Sequence, residues 1–222
     1  MSSGRGESET AAFTSTLASL KRRGSNLLLV GTVGETTHAD ACGRLLGSDD
    51  AWRRRLFVRT EGEGATARSP DADEAEVVRY EHTTRSAAGA STASPTSPPT
   101  SDRSARTLTG LAETVDEAIE EIDDAAGGLG PAELRACFDS LRPLLEEYPE
   151  HEVFRFVHSI TAAVRTVNGM AHYHLPVPYD SATVRTLGPL FDAVIEVRSG
   201  PDGPQQRWHL RDTDVTTDWL QL

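Results

Sequence analysis

Lysine is almost missing: Lys21 is the single lysine in 222 residues, and every other strongly basic side chain is arginine. Cysteine is as scarce. Cys42 and Cys137 are too few and too scattered along the chain for a disulfide framework or a zinc-binding sequence motif, so both are expected as buried, reduced thiols. No apolar run approaches the roughly 18 residues that a membrane helix needs. Met1 to Thr10 is polar and has no apolar signal-peptide region, so the sequence predicts a cytoplasmic protein without membrane contact. Dense basic stripes are absent too, the nearest being Trp52-Arg53-Arg54-Arg55. A protein that neutralises a phosphate backbone needs more than three arginines, so nucleic acid is not expected as a partner.

Acidic side chains are what the chain has in excess. Its 34 Asp and Glu stand against 22 Lys and Arg, for a formal net charge of -12. With the missing lysines, this points to a salt-adapted, GC-rich proteome, because carboxylates keep a surface charged and hydrated where salt screens electrostatics over a few ångströms. The length and the 37% hydrophobic content suffice for one sizeable core. We therefore expect a single domain over 11–222, preceded by a disordered tail at 1–10.

Along the chain, hydrophobic periods of two kinds alternate. Phe13, Leu17 and Leu20 lie on one face of a short helix ended by Gly24. Asn26 to Val30 is a continuous apolar run suited to a strand buried on both faces, and it leads through Gly31-Thr32-Val33-Gly34 into a helix over Ala39 to Leu46, capped by Thr36 or Thr37 and ended by Gly47. Leu56 to Val58 and Glu76 to Glu81 read as further strands. Residues 86–105 are Ser, Thr, Ala and Pro without a hydrophobic period, and cannot bury enough surface to offset their ordering entropy, so a disordered insert is expected there.

Beyond it, Leu108, Leu111, Val115, Ile119 and Ile122 form one face of a helix whose other face is acidic. Then follow a strand at Leu134 to Leu141, a helix at Glu152 to Val167, a strand at Met170 to Leu175, a helix at Ala182 to Leu187, and a hairpin from Ala193 to Arg198 and Gln206 to Leu210. The succession describes an α/β fold, a mostly parallel sheet flanked by helices and closed by a C-terminal antiparallel hairpin.

The glycine turn invites comparison with a Walker A loop, G-x-x-x-x-G-K-[ST], in which backbone N–H groups wrap phosphates, lysine reaches the β/γ-phosphates and a hydroxyl binds Mg²⁺. In that register Gly31 to His38 puts Thr36 at the second glycine, Thr37 at the lysine and His38 at the Mg²⁺ ligand. Glu35 adds a negative charge. Taken alone, such a turn is more often a tight connection between strand and helix.

The rest of the chain resembles RecA/KaiC-like P-loop ATPases. Leu134-Arg135-Ala136-Cys137-Phe138-Asp139-Ser140-Leu141 is similar to a Walker B strand ending in Asp-Ser, and Leu190 to Val197 with Gln206 to Leu210 is similar to the last strands of that fold. Asn168 to Pro176 and Thr216 to Leu220 resemble a KaiC-related haloarchaeal family of HTR-like proteins, which supplies no established activity. The resemblance implies that Asp139 would hold Mg²⁺ through water and that Glu61 would orient the attacking water. With the lysine and hydroxyl replaced, both are vestigial candidates. Gly31, Gly34, Thr36, Thr37, His38 and Asp139 outline a degenerate nucleotide site, and Asp139 is weighed equally as a residue that caps the next turn.

Other candidates have plainer readings. His172 and His174 alternate on a strand and could offer two imidazoles to a metal, with His38 or Asp139 as a third ligand, yet a structural role is the better expectation for each and no metal is expected. Trp208, Tyr173 and Phe154 read as core, and Asp192 as structural. The apolar segment Val215 to Leu222, with Trp219, either packs back onto the domain or docks on a partner. The expected function is a non-catalytic regulatory or protein-interaction module, possible as an oligomer and requiring no cofactor; the alternative is a switch that holds ATP through backbone N–H groups at a helix N-terminus.

Overall fold

A computed structural model describes residues 3–47, 52–61, 75–82 and 102–222. Most of the expected insert, 86–101, lies outside the described residues; its last four residues, Asp102–Ala105, form a strand.

The chain begins with α1 (Ser3–Arg23), then β1 (Ser25–Val30), α2 (Glu35–Leu46), β2 (Arg54–Arg59), β3 (Ala75–Tyr80) and β4 (Asp102–Ala105). It continues with α3 (Leu108–Ala126), β5 (Leu134–Phe138), α4 (Arg142–Glu147), α5 (Glu150–Thr166), β6 (Met170–Leu175) and α6 (Ala182–Leu187). The end is β7 (Ala193–Gly200), β8 (Gly203–Leu210), β9 (Val215–Thr216) and β10 (Leu220–Gln221). Three expectations shift. Residues 3–10, expected as tail, continue α1, because a helix nucleated by a docked half propagates at one hydrogen bond per added residue. The α2 cap is Gly34 rather than Thr36 or Thr37, so the helix starts one turn early and both threonines lie within it. Strand β5 stops at Phe138, and α4 follows on Pro143 at its start.

The sheet runs β10-β8-β7-β1-β6-β5-β2-β3-β4, with β9 also on β8. From β7 to β4 every neighbour is parallel, while β8, β9 and β10 are antiparallel. Strand β1 is buried along its length, as its position between two parallel neighbours requires. Alternate residues face two cores. Leu28, Val30, Phe138 and Tyr173 pack with α3, α5 and α6 on one side, whereas Leu27, Leu29, Ile195 and Trp208 pack with α1 and α2 on the other. Helix α3 buries Leu111, Val115, Ile119 and Ile122 and exposes Glu113, Glu117 and Glu120.

Tyr173 and Trp208 are buried and Phe154 packs partly buried on the core. The C-terminal segment packs back: β9 and β10 line β8, and Trp219 lies under Arg198 and Arg207 at 3.8 and 4.5 Å. Asp192 is structural in its contacts, accepting from the Asn26 N–H at 2.8 Å and pairing with Arg165 at 3.3 Å. Among the described residues no helix is long and apolar enough to cross a membrane.

Candidate functional site

The connection after β1 turns through α2 to one face of the sheet, and those after β5 and β6 turn to the other. In open α/β sheets the crevice at such a switch, outside the carboxyl ends of the strands, is where ligands bind. The Gly31 turn and Asp139 both lie at that edge.

The turn is engaged in contacts of the fold's own. The Gly31 N–H donates to the Val177 carbonyl at 3.0 Å, so the fold already uses it. Gly31 has φ +140° and an added Cβ would meet the Val197 carbonyl oxygen at 2.3 Å, so close approach of β7 demands this glycine. Gly34 has φ -61° and open space around it, so nothing local demands it. Thr37 is buried, and the His38 ring is 1% exposed, with Nε2 3.0 Å from the Gly31 carbonyl and Nδ1 3.2 Å from Nδ1 of His174. The residue at the Mg²⁺-ligand position thus turns into the core, away from the crevice. Glu35 opens α2, and Lys21 sits in the last turn of α1.

Beside the turn is an open cavity of about 540 Å³, lined by Thr32, Tyr179, Asp180, Glu196, Arg198 and Arg207 among others. Its cations are engaged: Arg207 binds Glu196 at 2.6 Å, Arg198 binds Gln205 at 3.0 Å, and both cover Trp219. Two carboxylates in the same wall oppose a phosphate.

Asp139 is buried and serves the turn after β2. Its Oδ1 accepts from the Thr60 N–H and hydroxyl, each at 2.8 Å, and Oδ2 accepts from the Glu61 N–H at 3.3 Å. Burial pushes its pKa up, and the Thr60 and Glu61 bonds pull it down. Glu61 and Asp139 are therefore neighbours, joined through the Glu61 backbone.

A second constellation lies on the α2 side of the sheet. Strand register sets Cys137 of β5 beside His172 of β6, and His174 lies two residues on, on the same face. Cys42 of α2 comes down onto them: its sulfur is 3.3 Å from that of Cys137 and 3.2 Å from Nε2 of His172. All four are at most 3% exposed, and one donor atom from each lies within 4.8 Å of every other. A hydrogen bond with Cys137, and then His172 and His174 nearby, hold the Cys42 thiol well below its ordinary 9.0 against the opposing effect of burial. Both cysteines are buried and outside any disulfide, as the sequence predicts. Missed was their meeting with the histidines: of the two suggested third ligands, His38 touches His174 and Asp139 stays with Thr60. The sequence signal was the placement of Cys42 four residues after His38, one helical turn on, facing the same way.

The model of the Family of unknown function (DUF7504) matches residues 24–197. No curated protein matches the chain in sequence. Among solved structures, the uncharacterized protein PH0321 from Pyrococcus horikoshii, in complex with an unknown peptide, is similar in fold, with a TM-score of 0.52 at 12% identity over 87% of this chain and 88% of that one.

Proposed function

The chain belongs to the DUF7504 family, and from that premise we propose that it is a non-catalytic regulatory or protein-interaction module on a RecA/KaiC-like scaffold whose nucleotide site has been given over to structure. The parallel strands, the glycine turn after β1, the aspartate after β5 and the terminal hairpin support the scaffold reading. One observation carries the loss of function: His38, at the position of the magnesium hydroxyl, is buried against Gly31 and His174. With the Gly31 N–H also spent, the turn offers neither the lysine, nor the hydroxyl, nor the full backbone cradle that phosphoryl transfer uses.

Without chemistry at this edge, the molecule acts through surfaces. The net charge of -12 disfavours nucleic acid and leaves protein as the partner class. The structural neighbour was solved with a peptide, which is in keeping with protein recognition.

The test is an ATPase assay with calorimetry, run in multimolar potassium salt. Full-length protein is expected to show no turnover above a background that Asp139→Ala leaves unchanged, and no heat with ATP and Mg²⁺. Turnover abolished by Asp139→Ala would overturn the proposal. ATP binding without turnover would favour the nucleotide switch instead.

A further inference from the structure

We propose that Cys42, Cys137, His172 and His174 hold one zinc ion in a closed, four-coordinate site that pins α2 to β5 and β6. Two thiols and two imidazoles are the donor set of a structural Cys₂His₂ centre. The observed separations suit it. With Zn–S near 2.3 Å and Zn–N near 2.0 Å, tetrahedral edges are about 3.3–3.8 Å; the two sulfurs lie 3.3 Å apart, and the Cys42 sulfur lies 3.2 Å from the His172 nitrogen. Opening these distances by a few tenths of an ångström makes room for the ion, and the 4.8 Å span of the whole set contracts onto it.

Burial sharpens the choice. Phe57, Val77 and Leu46 surround the cysteines, an apolar setting in which thiols are weak donors and polar atoms are costly to bury. A metal converts that cost into bonds. Each cysteine binds the ion as a thiolate, the proton of any sulfur still protonated passing to solvent, and the histidines bind as neutral rings.

The tautomers follow from His38. The Gly31 carbonyl can only accept, so His38 Nε2 carries the proton and donates to it. Neutral His38 then has a lone pair on Nδ1, which accepts from Nδ1–H of His174. His174 is left with its lone pair on Nε2, the form a metal ligand needs. A carbonyl, a histidine and a ligating histidine in series is the outer-shell arrangement that fixes ring orientation and raises ligand basicity. The residue that removes a magnesium ligand from the turn thereby becomes a positioning residue for zinc. Four protein ligands leave no open position, so the site is structural rather than hydrolytic.

The experiment uses the full chain, purified in reducing buffer at high potassium chloride. Metal analysis is expected to find one zinc per chain in the wild type and almost none in Cys42→Ser/Cys137→Ser. Because that variant can fail to fold, the metal-free wild type is also titrated with Co²⁺, which should give a thiolate-to-cobalt charge-transfer band and tetrahedral visible bands saturating at one equivalent. His38→Gln should keep the one-to-one stoichiometry while affinity for Co²⁺ falls about 10- to 100-fold. Absence of stoichiometric zinc together with a featureless cobalt titration of wild type overturns the proposal, as does finding Cys42 and Cys137 joined in a disulfide under reducing conditions. Its readouts are independent of the ATPase assay.

Discussion

At Gly31 the backbone runs at φ +140° within 2.3 Å, measured from a notional Cβ, of the Val197 carbonyl oxygen, while Gly34, three residues on, has ordinary extended dihedrals and space beside it. A turn that wrapped a ligand with its backbone would need open, glycine-only geometry at both positions, whereas a packed strand-to-helix turn depends only on the one that is crowded. Gly31→Ala is therefore expected to lower stability by about 2–4 kcal/mol, the sum of a strained dihedral and a clash with backbone. Gly34→Ala, which only replaces a favoured N-cap residue of α2 by a poorer one, should cost no more than about 1 kcal/mol. Urea unfolding of the two variants at one salt concentration checks this; equal losses would mean that the second glycine has a role its surroundings do not reveal. Asn26 makes a similar point about a polar residue in an apolar strand. Its side chain takes the Tyr173 hydroxyl at 3.0 Å and donates to the Thr161 carbonyl at 3.1 Å, tying α5 to the sheet through satisfied groups.

Among the elements, those whose own residues carry a clear period were legible: β6 and α6 begin and end where the hydrophobic pattern does, and α3 follows its stripe. Strand β4 was not, since Asp102-Arg103-Ser104-Ala105 has no period. It forms because β3 offers it a parallel ladder and Arg103 bridges Glu76 at 2.7 Å and Glu121 of α3. The Cys–His constellation was hidden for a related reason: Cys42 and Cys137 are 95 residues apart and only the packing of α2 on β5 and β6 joins them. The succession of strand, glycine turn and helix from β1 to α2, by contrast, could be read residue by residue because its order is local. The terminal hairpin supplies a pH-dependent contact. His209 of β8 stacks on Tyr179 at 3.9 Å and lies 3.4 Å from Glu196; burial lowers its pKa, outweighing the hydrogen bond to Glu196 that raises it. The folded state thus binds this proton less well than the unfolded chain, so stability rises as pH climbs through the ordinary histidine value and is lost on the acid side. Wild type should lose more of its unfolding midpoint than His209→Gln between about pH 8 and about pH 5.5. An equal loss would place the acid sensitivity elsewhere.

For the whole molecule the governing quantity is the net charge of -12, carried by surfaces such as the outer face of α3. Like charges held on a compact body repel more strongly than on an expanded chain, so the folded state is penalised whenever the field reaches from one carboxylate to the next. That reach is about 10 Å at 0.1 M salt and about 3 Å at 1 M. The unfolding midpoint should therefore climb steeply in potassium chloride over that range and more slowly beyond it. Salt also strengthens apolar burial, which would raise the midpoint without reference to charge, so the slope alone does not identify the cause. Replacing Glu113, Glu117 and Glu120 of α3 with glutamine separates the two, because these exposed side chains add charge while contributing nothing to the core. If repulsion sets the salt response, the triple variant is more stable than wild type at low salt, and the difference closes as salt rises. Parallel curves at all concentrations would assign the response to apolar burial and detach the acidic composition from stability.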